Sequence, residues 1–325
     1  MKIGLIGLGH LGLPVGKNLL KAGYQLIVND LRPAAAVPLL ELGASWAGSA
    51  QQLGQQVGVV ITVLPSPAAV TAVVEGENGL LGGLAPGSTW IDTSTNDAQE
   101  LQRLAAVCAD QGIAVLECPV TGGIPKAHAG TITAFVSGRR EVFAANLPVI
   151  QAYAGDIHYL GPLGSASVAK VVTNMLAFIH LWALGEGLML GRRAGLEVGA
   201  LFESIKASCG NSFVAETEGP EILNGSYDYG FTLALAAKDA NLAYELGRQY
   251  GVPLEMGSLV EQILLRAKSK YGDDAWSTQV VKLLEDDLGT DLRAAGYERP
   301  GIAGLAPIPQ AGDNGSTTVK MRREI

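Results

Sequence analysis

Lys170 and Asn174 lie four residues apart in a nearly uncharged stretch, Gly164 to Leu190, with Thr173 beside them. Lysines are rarely buried unless something pairs with them. On a helix, positions i and i+4 share one face. A lysine ammonium can give up a proton and its amine can take one back, so a lysine beside an amide is a candidate proton-transfer pair. Taken alone, Lys170 also reads as a lysine whose stem packs on the helix while its head reaches water. His180, in the middle of the same stretch, reads as a core or interface histidine rather than a catalyst.

A second constellation opens the chain: Gly7-Leu8-Gly9-His10-Leu11-Gly12. It follows the strand-like run Lys2–Ile6 and precedes a helical pattern over His10–Ala22. In that setting Gly7 permits a tight turn, Gly9 lets the backbone approach a pyrophosphate, and Gly12 lets the helix pack on the strand. The helix start then offers free N–H groups to phosphate. An acid, Asp30, ends the second strand-like run about 20 residues on, as a dinucleotide site requires. Asp30 would accept hydrogen bonds from ribose hydroxyls and repel a 2′-phosphate, which favours NAD. Arg32, two residues later, could instead hold that phosphate, so NADP stays open. The bland readings are a glycine turn in some other α/β protein and an aspartate that only closes a strand.

Two more groups could carry chemistry. Thr121-Gly122-Gly123 follows Glu117-Cys118-Pro119-Val120 and leads to Ala129-Gly130-Thr131. A Thr-Gly-Gly turn exposes a hydroxyl and several backbone N–H groups, which suits a carboxylate; a plain loop would look much the same. Farther on, Phe231 is followed by Lys238-Asp239, which could equally be a salt-bridging or capping pair.

The elements that must hold these groups change character along the chain. In the first half, strand-like runs at 2–6, 25–29, 57–63, 89–92, 114–117 and 133–137 alternate with helical segments, the pattern of a parallel sheet covered by helices. Past Gly161 the strand-like runs stop. Helical periodicity covers roughly 165–193, 197–208, 212–223, 232–250, 254–271 and 276–288, with Gly195, Gly251 and Gly272 where helices should end. The expected division is an α/β domain over 1–162, an all-helical domain over 163–298, and a mobile tail over 299–325. The first long helix, about 30 residues or roughly 45 Å, would link the two domains.

Composition narrows the field. The chain has 325 residues, 48% hydrophobic and 17% charged, with a net charge of −8. That is a globular composition, and its acidity argues against a general nucleic-acid binder. Cys108, Cys118 and Cys209 are odd in number and lack metal-type spacing, so no metal site is expected and reduced cytoplasmic thiols are. Met1-Lys2 runs straight into a strand-like run and then glycines, with no sign of a signal peptide. Val171 to Leu190 could mimic a membrane span, but it holds Asn174, His180 and Glu186, so a buried helix is expected and no membrane partner.

Taken in order, these motifs resemble the β-hydroxyacid dehydrogenase family, which includes 3-hydroxyisobutyrate dehydrogenase and tartronate semialdehyde reductase, with 6-phosphogluconate dehydrogenase a distant relative. The resemblance runs over about 1–290. It rests on Gly7 through Pro14 with Asn18-Leu19 and Lys21-Ala22-Gly23, Asp92-Thr93-Ser94-Thr95, Pro119 through Gly123, Gly164 through Lys170 to Asn174, and Lys238-Asp239. It implies a Rossmann-type α/β domain followed by an all-α domain. It also implies an NAD(P)-dependent oxidoreductase that moves hydride between the nicotinamide and a small β-hydroxy acid or semialdehyde, working as a homodimer or homotetramer.

By the same resemblance, Leu64, Pro65 and Thr95 line the cofactor together with the glycine loop, Phe231 and Lys238. Thr121, Gly122 and Gly123 hold the substrate carboxylate, with Asp239 beside the site. Lys170 is the catalytic acid/base and Asn174 its helper. Reduction of an aldehyde by hydride leaves an alkoxide that needs a proton, which the Lys170 ammonium can supply. Burial and a nearby nicotinium charge would both push its pKa down.

The sequence departs from the family at several positions. Thr121 stands for the usual serine, Glu117 for the usual aspartate and Thr173 for one of two asparagines. Lys126 and His128 replace small residues and could read an extra anionic group or simply face water. Those changes leave two rivals: an imine reductase or decarboxylating hydroxyacid dehydrogenase on the same fold, and a catalytically silent NAD-binding protein.

Overall fold

The computed structural model describes residues 1–298 and the strand Thr318–Met321. Contacts divide the chain into two compact units, one built on Met1–Lys170 with the C-terminal strand, the other starting at Val171.

The first unit is one mixed sheet. Its strands are β1 (Lys2–Ile6), β2 (Gln25–Asn29), β3 (Ser45–Trp46), β4 (Val59–Thr62), β5 (Thr89–Asp92), β6 (Ala114–Glu117), β7 (Val120–Thr121), β8 (Ile132–Gly138), β9 (Ala154–Tyr159) and β10 (Thr318–Met321). The order β3-β2-β1-β4-β5-β6 is parallel throughout. That is the doubly wound dinucleotide-binding arrangement, whose ligands sit at the carboxyl ends of the strands. β8 then runs antiparallel to β6, and β9 and β10 follow parallel to it. β7 pairs antiparallel with β8 off the main path.

The strands are apolar on both faces because both faces are covered. Ile3, Leu5, Ile61, Ile91 and Leu116 enter one buried cluster. Their neighbours Ile6, Val60, Trp90 and Val115 alternate into the other. Register locks the two sets together: Val60 pairs with Trp90, and Trp90 with Val115.

The second unit is helical, as expected. After the long helix Ser165–Arg193 come Val198–Lys206, Phe213–Asn224, Leu233–Tyr250, Glu255–Tyr271, a 3-10 turn Ser277–Val280, and Lys282–Leu288. Ser212 and Thr232 cap their helices by accepting from Ala215 N and Leu235 N, and Gly225, Gly251 and Gly289 close three of them in the left-handed region. Phe178, Leu181 and Leu188 of the long helix pack with Phe202, Leu233 and Leu264 in one core. Among the described residues, this long helix is also the one segment long and apolar enough to cross a bilayer, and 39% of its most apolar window is buried within the protein.

Three expectations need correction. The nucleotide-end helix starts at Gly12, not His10, because His10 and Leu11 still belong to the glycine turn. The segment 276–288 is not one helix but a 3-10 turn and a short helix that meet at Val281. The contacts group the first turn of the long helix, through Lys170, with the sheet, because buried Glu117 at the end of β6 accepts from Gly164 N at 2.9 Å, Ala166 N at 3.2 Å and Ser167 Oγ at 2.7 Å. Those bonds tie the first turn of the long helix to the sheet. Within the stretch read as a tail, Thr318–Met321 pairs with β9 from Asp156 to Tyr159; the rest of 299–325 lies outside the described residues.

Candidate active site

At the end of β1 the chain turns at Gly7 with φ +92°, and a side chain there would run into the Val63 carbonyl. A side chain at Gly12 would overlap the Gly7 carbonyl oxygen. Gly9 is different: a methyl group there would meet nothing within 4 Å. Gly7 and Gly12 are therefore glycine for the turn and the packing, while Gly9 leaves open space above the backbone. The helix Gly12–Lys21 begins without a side-chain cap and without an acid in its first turn. An uncapped helix start beside open space is a site for an anion, and a pyrophosphate fits it.

Asp30 is held beside this turn. Its Oδ2 accepts from Leu8 N at 2.7 Å and its Oδ1 from Arg32 N at 2.8 Å. The carboxylate is 12% exposed, whereas the Arg32 side chain is 79% exposed with its Nε 4.0 Å away. The acid is thus fixed by the backbone, and the guanidinium is a solvent-side neighbour.

Leu64 and Pro65 continue β4. Leu64 N donates to Ser94 Oγ at 2.9 Å, and Ser94 belongs to a buried polar knot behind it. Asp92 accepts from Thr62 Oγ1 at 2.8 Å, Ser94 N at 3.2 Å and Asn96 Nδ2 at 3.0 Å. Trp90 Nε1 donates to Thr62 Oγ1 at 2.8 Å. Burial pushes the Asp92 carboxyl up, and these hydrogen bonds pull against it. The knot sets the loop in which half-buried Thr95 sits between Ser94 and Asn96.

The Thr-Gly-Gly turn joins β7 to the short helix Gly123–Ala129. Gly122 and Gly123 have φ +115° and +82°, a backbone that side chains rarely adopt. The Lys126 stem lies across Gly122, with Cδ at 2.9 Å from where a Cβ would stand. Burial and the Lys17 charge both hold the His128 imidazole below its usual range. Asn18 Nδ2, on the nucleotide-end helix, donates to Ala127 O at 2.7 Å. Asn18 therefore couples the nucleotide-end helix to the short helix that follows the Thr-Gly-Gly turn, a link between residues 109 apart that sequence reasoning missed.

Lys170 is 8% exposed, near the start of the long helix. One turn on, Asn174 Nδ2 donates to Asp239 Oδ2 at 2.6 Å. Asp239 is buried, and its Oδ1 lies 2.6 Å from Lys238 Nζ, close enough for an ion pair but outside hydrogen-bonding alignment. Asn174, Asp239 and Lys238 thus form one cluster. Phe231 stacks on Phe178, with ring centroids 6.4 Å apart and planes 13° from parallel, so one face of its ring is spent on the helical core.

Comparisons with known proteins cover both halves of the chain. Residues 2–161 match the NAD-binding domain of 6-phosphogluconate dehydrogenase, and residues 164–284 match the family described as NAD-binding of NADP-dependent 3-hydroxyisobutyrate dehydrogenase. An NAD-dependent L-serine dehydrogenase of Pseudomonas aeruginosa is 36% identical over 296 residues, covering 89% of this chain and 99% of its own. The 2-(hydroxymethyl)glutarate dehydrogenase of Eubacterium barkeri is 33% identical over 293 residues, covering 90% and 97%. The structure of Mycobacterium tuberculosis 3-hydroxyisobutyrate dehydrogenase with L-serine matches with a TM-score of 0.79 at 28% identity, covering 87% of this chain and 98% of that one. With both halves matched in order and the dinucleotide cradle in place, the chain belongs to the β-hydroxyacid dehydrogenase family and is an NAD(P)-dependent oxidoreductase.

Proposed function

We propose that this protein is an NAD-dependent 3-hydroxyacid dehydrogenase or semialdehyde reductase, with Lys170 as the general acid/base. The observation that carries the reading is a lysine buried on a helix whose next turn presents an amide locked by a buried carboxylate. When bound, the nicotinamide supplies or accepts the hydride. In the reducing direction the Lys170 ammonium gives its proton to the oxygen that becomes the alcohol; in the oxidising direction the amine removes it. Because Asn174 spends its N–H on Asp239, its Oδ1 is the acceptor end, suited to hold a hydroxyl or the ammonium in place. In this reading the Thr121 hydroxyl and the N–H groups of Gly122 and Gly123 hold the substrate carboxylate, and Lys238 and Phe231 serve as cofactor contacts.

NAD is the preferred cofactor in this reading, because Asp30 is fixed toward the glycine loop while Arg32 is mostly in solvent. Known relatives act on serine and on 2-(hydroxymethyl)glutarate, both carboxylates with a hydroxymethyl group, which supports a substrate of that kind. A homodimer or homotetramer would cover the exposed Val172 and Leu176, one turn apart on the long helix, and Met256 and Leu259. The cytoplasm suits the three free cysteines.

The test is NADH oxidation with a panel of C3–C5 semialdehydes, running wild type beside Lys170→Ala. Turnover in the wild type with a loss of at least about a thousandfold in the variant is expected, which lies within the contribution of a positioned acid. Equal turnover in both would remove Lys170 from the mechanism. Tight NADH binding with no turnover on any semialdehyde, but turnover on imines, would replace the substrate class.

A further inference from the structure

The end of β6 holds a buried carboxylate that the chemistry above does not use. Glu117 is 1% exposed. It accepts from Gly164 N, Ala166 N and Ser167 Oγ at 2.9, 3.2 and 2.7 Å, and from the Ser137 hydroxyl of β8. Each of these donors is neutral. Burying a charge in such surroundings is costly unless hydrogen bonds replace its lost hydration, and here four do. Ala166 N also lies 3.3 Å from Ser137 Oγ, so β6, β8 and the helix start meet at one point.

This arrangement differs from the other caps in the molecule. Ser49, Ser66, Asp97, Ser212 and Thr232 each cap the helix that they immediately precede. At the start of the long helix, the N–H groups of Gly164 and Ala166 are instead satisfied by a residue 47 and 49 positions back, on a central strand. A local cap holds only the helix terminus. A cap from the sheet also fixes the position and rotation of the helix's first turn, through Lys170, against the strand end.

Lys170 stands three residues after Ser167 and four after Ala166, so it shares a face with two of the anchored residues. Whatever sets those two sets where the lysine head group leaves the helix. We propose that Glu117 is a positioning residue for Lys170: it pins the turn below the lysine to the strand ends and so holds the ammonium at the reacting oxygen. The inference rests on the reading of Lys170 as the acid/base. Misplacing a reacting group by about 1 Å can cost about a hundredfold.

The experiment is a double-mutant cycle on the full-length protein with NADH and the best semialdehyde of the panel. Glu117→Gln keeps the shape but turns an amide donor toward donors. It is expected to lower kcat about 10- to 100-fold while the NADH dissociation constant, read by fluorescence, stays within about twofold. Glu117→Asp, which keeps the carboxylate but is one methylene short, is expected to retain more activity than Glu117→Gln. In Lys170→Ala, Glu117→Gln should cause no further loss, because a residue that acts through another has nothing left to act on. Ser167→Ala removes a single bond from the same anchor and stands in if Glu117→Gln does not fold; a smaller kcat loss, again absent in the Lys170→Ala background, is expected.

Wild-type kcat in folded Glu117→Gln, or losses that multiply in the double variant, would overturn the positioning role while leaving Lys170 intact. Full activity in Lys170→Ala alone would overturn the underlying reading instead.

Discussion

Asn174 and Asp239, 65 residues apart, are joined by a 2.6 Å hydrogen bond in which the amide donates and the buried carboxylate accepts. An amide can point either way, and this bond decides it: the donor faces Asp239 and the acceptor faces away. Asp239→Asn would remove that preference, since an amide partner can accept or donate equally well. It would also strip Lys238 of its ion-pair partner. The expected result is a fall in kcat of about 10- to 100-fold, the scale of one hydrogen bond to a charged group, with folding retained. Steady-state kinetics of Asp239→Asn beside Asn174→Ala checks this. Similar losses in both, and little extra loss in the pair, are expected of residues that act as a unit.

The glycine loop makes a sharper prediction because its three glycines are not equivalent. At Gly9 an added methyl meets nothing, so Gly9→Ala should fold with a near-normal melting temperature yet bind NADH at least about tenfold more weakly, because the methyl occupies space left for the pyrophosphate. At Gly12 the methyl would strike the Gly7 carbonyl. Gly12→Ala should therefore destabilise the fold by about 1–3 kcal/mol, the usual cost of overpacking. Thermal melts with NADH titration separate the two effects.

Cofactor choice follows from the pair at the end of β2. Asp30 is anchored by two backbone N–H groups, whereas the mostly exposed Arg32 side chain has a 4.0 Å ion-pair contact with Asp30. Arg32→Ala should leave NAD kinetics within about twofold and depress use of NADP about tenfold, the loss of one exposed phosphate contact worth about 1.4 kcal/mol. Asp30→Ala should raise the KM for NAD and also loosen the glycine loop through Leu8. The ratio of kcat/KM for the two cofactors in each variant is the measurement.

What was legible in the sequence had a local cause. The strands Lys2–Ile6, Gln25–Asn29, Thr89–Asp92 and Ala114–Glu117 match their sequence-based bounds because both faces are buried and the apolar runs end at turns. β3 and β7 are two residues each, too short to carry a period, and β9 mixes Gly155, Asp156 and His158 into its run. The glycine loop and the Lys170–Asn174 spacing are visible because each is set within one short stretch of chain, and Asp30 because it closes the second strand-like run. The bonds that orient them are not: Asn18 to Ala127, Ser94 to Leu64, Glu117 to the long helix and Asp239 to Asn174 all cross between elements, and no residue pattern announces such a partner.

Glu218 lies in the helix Phe213–Asn224, and burial alone pushes its carboxyl from 4.5 up to about 8. Nearby Tyr229 is raised as well, first by its own burial and then by the Glu218 charge. A raised carboxyl pKa means that the folded chain holds a proton that the unfolded chain has already released. Between about pH 4.5 and 8 the folded state therefore binds more protons, and stability must fall as the pH rises. The contribution is fully present below 4.5 and is lost by about 8, a change on the order of a few kcal/mol. Glu218→Gln has no proton to lose. It should melt close to wild type at pH 5 and several degrees higher at pH 8, with a flatter pH dependence between the two. A wild-type melting temperature that does not decline over this range relative to the variant would mean that the carboxyl is hydrated or ionised in the folded protein.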